Sequence, residues 1–242
     1  MLIVLCSGGH SPGVTTAGLA LTLTWPRTVL FAECDPAGGS VLSGFLVGHR
    51  QERGLGEWAV QLRRSADAAD TLAEQVLRLN GPDNRRILPG LASPSQVPSV
   101  QPLWRDIAEA FATTPGDVIA DIGRIGGADT PLPLLAAADH VLAVAQPTLR
   151  DLSALVPRLA TITSARGHRP SPRVLLAGDG PYGRREVAKT LDVEVAGHLP
   201  HDPKAAAVLT HGTDSERHLS RSLLLRATRS LGSTLCEQVP AS

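Results

Sequence analysis

The chain has 242 residues, enough for one large domain with a sizeable core. Its 23 basic and 23 acidic residues cancel, so no global field draws it to nucleic acid or anionic membrane, and only local patches remain open. No apolar run reaches the ~18–20 residues of a membrane span, and no basic leader precedes the short opening run, so a soluble cytoplasmic protein is expected. With only seven aromatic residues (Trp 3, Tyr 1, Phe 3), the core must be built from Leu, Val and Ala. Cys6, Cys34 and Cys236 form no metal or disulfide pattern, and Cys6 and Cys34 read as small buried apolar residues at strand ends.

In chain order, the pattern predicts a strand at Leu2–Cys6, a Gly/Ser/Pro-rich turn at Ser7–Gly13 and a helix near Thr15–Thr24. A second strand covers Arg27–Glu33, and a helical segment covers about Glu57–Leu79. Residues 80–102 carry five prolines and read as a long surface loop, with one short strand at Arg86–Leu88. A helix at Trp104–Ala112 precedes a strand at Asp117–Ile122, a short helix at Leu132–Ala138 and a strand at His140–Ala145. There follow a helix at Thr148–Ala165, a strand at Arg173–Ala177, a helix at Arg184–Leu191, a strand at Glu194–His198 and a helix from Pro203 to Leu209. Leu219, Leu223, Ala227, Leu231 and Leu235 recur every four residues and predict a terminal helix over 216–236. That helix either docks on the sheet through Leu223 and Leu231 or lies on a membrane surface. Strands alternating with helices across residues 1–242 predict a single α/β domain: three layers, a mostly parallel sheet with helices on both faces.

Strand, glycine-rich turn and helix together form a phosphate cradle, because successive backbone N–H groups and the positive helix end face an anion. The spacing Gly8-x-x-x-x-Gly13-x-Thr15 is that of a P-loop, but Val14 stands where the phosphate-binding lysine belongs. After the second strand, Glu33 and Asp35 put two carboxylates at the sheet's C-terminal edge, where ligands of open parallel sheets bind. Such groups hold Mg²⁺ or orient water; Asp35 in an Asp-Pro turn also bonds local backbone. Asp117–Gly123 is an apolar strand ending in Asp121, the form of a Walker B.

The ordered segments SGGHSPGVTT, VLFAECDPAGG, DVIADIG, AADHVLAVAQPTLRDLSAL and VAGHLPHDPKAAAVL resemble the ParA/MinD family, deviant-Walker-A P-loop proteins of the SIMIBI class. The resemblance covers Met1 to about Gly212 and implies a P-loop NTPase-like fold, ATP and Mg²⁺ as cofactors, a homodimer sandwiching two nucleotides, and a protein partner. Carried over by position, Gly8, Gly9, His10, Ser11, Gly13, Val14, Thr15 and Thr16 form the phosphate loop. Thr15, Glu33 and Asp121 match metal positions, Asp35 the residue orienting water, and Pro200 and Asp202 the loop bordering adenine. Gln146-Pro147 matches the start of a partner-facing helix.

The departures are specific. The family's two loop lysines fall on Gly9 and Val14, and Pro12 has no N–H to give. A charged hydrogen bond contributes roughly 1.5–3 kcal/mol, so losing two lysines lowers nucleotide affinity on the order of 10²-fold or more. The leading expectation is therefore a degenerate nucleotide site, a non-catalytic or weakly catalytic protein acting as scaffold, localiser or regulator through protein contacts. The alternative is an ATP-dependent switch of positioning or partition type, its missing charge supplied by a partner chain or an arginine. A nucleic-acid patch built from Arg150, Arg158, Arg166, Arg169 and Arg173 is a third reading, against which the neutral charge weighs.

Overall fold

Apolar runs with β-branched residues become strands, and here they lie side by side. In the structure, a computed structural model describing residues 1–49, 53–64, 68–79, 84–212 and 219–238, the first is β1 (Leu2–Ser7), buried along its whole length. It is followed by α1 (Val14–Thr24), β2 (Val29–Glu33), α2 (Leu55–Leu62), α3 (Ala68–Gln75), β3 (Leu77–Arg78) and β4 (Arg85–Leu88). Next come α4 (Val97–Val100), α5 (Trp104–Thr113), β5 (Asp117–Arg124), α6 (Leu132–Ala137), β6 (His140–Ala145) and α7 (Leu149–Arg166). The chain continues through β7 (Arg173–Ala177), α8 (Arg184–Leu191), β8 (Val195–Leu199), α9 (Pro203–His211) and α10 (Leu223–Gln238).

The eight strands form one sheet in the order β3-β4-β2-β5-β1-β6-β7-β8, parallel except for the β3–β4 pair. Side chains alternate across it. Leu2, Val4 and Cys6 enter one apolar layer with α2, α5, α6 and α7, while Ile3 and Leu5 enter the other with α1, α9 and α10. This is the expected three-layer P-loop NTPase-like architecture, and it buries Cys6 and Cys34 completely. Burial pushes the Cys6 thiol up to about 12, with Asp121 adding to it, so it is an apolar filler.

Three expectations change. The segment predicted as one helix over Glu57–Leu79 is α2, α3 and β3. A continuous helix there would run about 34 Å, whereas Trp58 and Leu72 must reach the same apolar layer. Gln75, itself buried, ties the pair by donating to Gln61 (3.0 Å) and accepting from the Gly54 N–H (3.2 Å).

The stretch expected as a surface loop over 80–102 contains β4, whose Ile87 and Leu88 are fully buried beside β2; residues 80–83 lie outside the described set. The prolines after it start short helical turns, the first closed by a capping box between Ser93 and Gln96.

The terminal helix is docked, but its stripe is shifted. Leu231 is buried as expected, while Leu223 is 55% exposed and Leu224, Leu225, Thr228 and Leu235 make the contact. Steps of four residues drift on a helix of 3.6 per turn, so Leu223 lies about 120° around the axis from Leu235. The helix begins at Leu223 rather than 216; of the range expected for it, 216–218 lie outside the described residues. No helix among the described residues is long and apolar enough to cross a membrane.

Candidate functional site

The glycine loop runs from the end of β1 into α1. Gly13 has φ 94, and His10 and Ser11 also take left-handed values, 61 and 51, without being glycine. Such conformations cost of order 1–3 kcal/mol each in non-glycine residues. Gly8 is fixed by packing: a Cβ there would lie 2.7 Å from the Cα of Leu155, so the loop backbone rests directly on α7. His10 and Ser11 are exposed at its tip. The N–H groups of the first turn of α1 have no partner in the helix. Val14 opens that turn and is buried (7% exposed) within the apolar layer shared with α9 and α10.

Thr15 and Asp121 meet. The Thr15 hydroxyl donates to one Asp121 oxygen at 2.5 Å, and the Gly123 N–H donates to the other at 2.9 Å. Asp121 is 2% exposed, and its carboxyl is raised to about 7. Burial is the main cause; the two hydrogen bonds oppose it, and the charges of Asp35 and Glu33 add to it.

Glu33 sits opposite Asp121 in the β2–β5 ladder. Its oxygens accept from the Ser40 N–H (2.7 Å), the Val41 N–H (3.0 Å) and the Gly90 N–H (3.0 Å). It therefore clasps the loops that follow β2 and β4, and burial still raises its pKa despite these bonds. Asp35 accepts from the Ala37 N–H at 2.8 Å, the local Asp-Pro turn. Burial raises its carboxyl too, against the Ala37 bond and the charge of Arg124. Gly123, at φ 62, is obligatory beside it, because a Cβ would run into the Asp35 carboxylate.

Pro200 and Asp202 lie at the end of β8, and Asp202 is committed to helix capping. One oxygen accepts from the Ala205 N–H (3.1 Å) at the start of α9, the other from Leu223 (3.1 Å) and Leu224 (3.4 Å) at the start of α10. Thr16 continues the first turn of α1, half-exposed. Gly9 has room for a side chain, since an added Cβ would stand 3.7 Å from that of Ala154. The structure thus gathers the loop, Thr15, Asp121, Glu33 and Asp35 at one sheet edge. Among the described residues, no cluster of three or more His, Cys, Asp or Glu side chains is shaped to hold a metal alone. A Mg²⁺ ion held by Thr15 and Asp121 would need phosphate oxygens and water for the rest of its shell.

Arg124 escapes the motif reading. It pairs in register with Ser7 at the base of the loop and is exposed, and its charge reaches Asp35. Its place directly after the acidic strand end was the available signal. The suggested arginine patch loses two of its five members, while Arg150 and Arg169 stay exposed and Arg158 half-exposed. Arg166 is buried and donates to the carbonyls of Leu135 (3.0 Å), Ala138 (3.1 Å) and Pro170 (2.6 Å), closing the end of α6. Arg173 is buried against Gln238 (2.9 Å) and Glu194 (3.4 Å).

No protein-family model and no curated protein matches the chain. Solved structures do. A ParA family ATPase from Chlorobium tepidum TLS superposes with a TM-score of 0.79 at 17% identity, over 97% of this chain and 98% of that one. The septum site-determining protein MinD complexed with Mg-ADP, from Pyrococcus horikoshii OT3, gives 0.78 at 16% identity, over 99% and 97%. The ATP complex of an McdA variant from Cyanothece gives 0.66 at 16%, over 97% and 95%. Likeness over nearly the whole of each chain, at such low identity, is a likeness of architecture: this chain has the ParA/MinD fold.

Proposed function

We propose that this chain is a ParA/MinD-like protein with a degenerate nucleotide site, acting as scaffold, localiser or regulator through protein–protein contact, with little or no ATP hydrolysis. The observation that carries the reading is Val14. At the position of the phosphate-binding lysine there is an apolar side chain, buried in the α1 layer. Gly9 supplies no second charge, the charges of Asp35 and Glu33 act against ionisation of Asp121, and Arg124 favours the ionised form of Asp35. The residues present do not fit a hydrolytically competent Mg-ATP, although Thr15 and Asp121 keep the hydrogen-bonded pair that such a metal would use. Phosphoryl transfer depends on positioned charge, and that charge is missing. Exposed Leu149 (67%) and Val156 (52%) on α7, the helix on which the loop rests, support contact with a protein partner or a second copy.

The test is a titration of purified protein with labelled ATP, with and without Mg²⁺. No saturable binding at micromolar ATP is expected; tight, Mg²⁺-dependent binding overturns the reading. That outcome would favour the second reading, an ATP-dependent positioning switch, for which Arg124 beside Ser7 is the specific support. In that case Arg124→Ala would weaken ATP binding about tenfold or more.

A further inference from the structure

The glycine loop follows the end of β1; a second cavity lies where the neighbouring parallel strands β6 and β7 begin. It is a groove of about 530 Å³ between the second half of α7, the end of α8 and the end of α10. The titratable side chains that line it are His140, Arg173, Asp192 and Glu194. Arg173 is buried, its side chain 10% exposed, and its donors are only partly used. Nη1 donates to Gln238 (2.9 Å) and Glu194 (3.4 Å), and Nη2 donates to His140 Nδ1 (3.0 Å). The Nε–H and the second Nη2–H therefore have no partner among the described residues. The Nε atoms of Arg85, Arg86 and Arg158 are sealed off without a partner; that of Arg173 is not. Burial and the Arg173 charge lower the His140 pKa to about 4, so the imidazole is a neutral acceptor and adds no charge.

The acidic pair stands at the rim. Glu194 is 65% exposed along its side chain, and its bond to Arg173 is long beside the about 2.7–2.9 Å of a tight charged hydrogen bond. Its other oxygen has no partner among the described residues. Asp192, directly after α8, is exposed and in no ion pair among them. This pattern of charge selects. A simple anion drawn to Arg173 meets two carboxylates, and a simple cation drawn to the carboxylates meets Arg173. A zwitterion satisfies both, with its carboxylate on the spare Arg173 donors and its ammonium on the acidic rim. The walls are aliphatic, from Val141, Leu159, Ala160, Leu191 and Val193, and the volume is that of a small-molecule site, roughly 300–1,000 Å³. We propose that this groove binds a free α-amino acid with an aliphatic side chain, its carboxylate held by Arg173 and its ammonium by Asp192 and Glu194. The site shares no residue with the glycine loop and does not depend on how that loop is read.

Calorimetric titration of the full chain tests it with three related ligands, on wild type and Asp192→Asn. L-Leucine carries both charges, isocaproate lacks the ammonium and isoamylamine lacks the carboxylate. Wild type is expected to bind leucine saturably and each single-charge ligand about tenfold or more weakly. Asp192→Asn should weaken leucine about tenfold or more while leaving isocaproate unchanged or tighter, since one rim carboxylate is gone. Asp192 is exposed with φ 50, a conformation that Asn tolerates, so the variant keeps the fold. The carboxylate contact is tested on the ligand, because a change at Arg173 would also release Gln238 at the end of α10. No binding of leucine by wild type at millimolar concentration overturns the proposal. So does leucine binding untouched by Asp192→Asn, which puts the amino acid elsewhere on the molecule. Isoamylamine bound as well as leucine leaves Arg173 without a part and overturns it in favour of a cation site; isocaproate bound as well as leucine overturns it in favour of an anion site.

Discussion

Strand β5 buries one aspartate at its start and another in its C-terminal half, and the two ends of the strand solve the problem in opposite ways. Asp117, at the start, is met by donors and cations: Trp25 Nε1 at 2.7 Å, Arg27 Nε at 2.8 Å and the N-terminal amine at 3.3 Å. Asp121, four residues on, receives one hydroxyl and one amide, and its charged neighbours are Glu33 and Asp35. One end is an electrostatically closed joint. The other holds a carboxylate near its own titration point, which a structural joint does not need and a charge-handling site does. Within one strand, the difference separates the part of the fold that is fastened from the part that is poised.

The largest expected effect removes the joint. Asp117→Ala removes the acceptor of the buried Trp25 N–H and the carboxylate that Arg27 and the N-terminal amine share, and breaking a buried pair from one side costs about 3–5 kcal/mol. Urea unfolding should show a loss near the lower end, since the Arg27 side chain retains 24% exposure. A loss below about 1 kcal/mol would erase the contrast between the two ends.

Asp121→Asn should act in the other direction at neutral pH. Its folded pKa of about 7 lies above the ordinary value of 3.8, so between those values the folded protein holds the proton more tightly than the unfolded chain. The stabilisation from this group is complete at low pH and is lost as pH rises through about 7. Unfolding free energy measured from pH 4 to 8 should fall over that window by roughly 4 kcal/mol in wild type from this group, and the Asn variant should lack that part of the slope. An unchanged slope would mean that Asp121 is already compensated, as Asp117 is.

How far the sequence reaches can be seen at the same two ends. The strand–loop–helix of Leu2–Thr24, the acidic strand ending at Asp121 and the parallel sheet follow local patterns, and the structure has them at or within two residues of the expected bounds. What local pattern does not carry is the partner. Glu33 reads as a metal-site carboxylate by position, yet its oxygens are filled by the N–H groups of Ser40, Val41 and Gly90, the last 57 residues away. Asp202 reads as a border of the nucleotide and caps two helices, because α10 returns to it from 21 residues downstream. Ile87 and Leu88 lie in a stretch whose prolines read as loop; pairing with β2 makes them core. Leu223 matches an apolar row that leaves the contact face as the helix turns.

The smallest effect would give the poised end the cation that the fastened end has. Val14→Lys replaces a side chain that is 7% exposed and removes its packing against the α1 layer, at a cost of about 1 kcal/mol. Val14 lies in the apolar layer, so the new ammonium must turn out of it to reach the Asp121 carboxylate that the neighbouring Thr15 hydroxyl holds. At about pH 5, where Asp121 is protonated, there is little to attract it, and the variant should melt below wild type. At about pH 8 the carboxylate is charged, the lysine pairs with it, and the gap should close. Melting curves at the two pH values measure this directly, and adding Mg-ATP to both should leave them unchanged if charge at the loop is not the sole missing part, because Gly9 and Pro12 still withhold a cation and an N–H. A variant that melts equally far below wild type at both pH values would show that the lysine is trapped among the apolar side chains of α1, unable to reach Asp121. The loop would then be closed around Val14, with the end of β5 isolated from it.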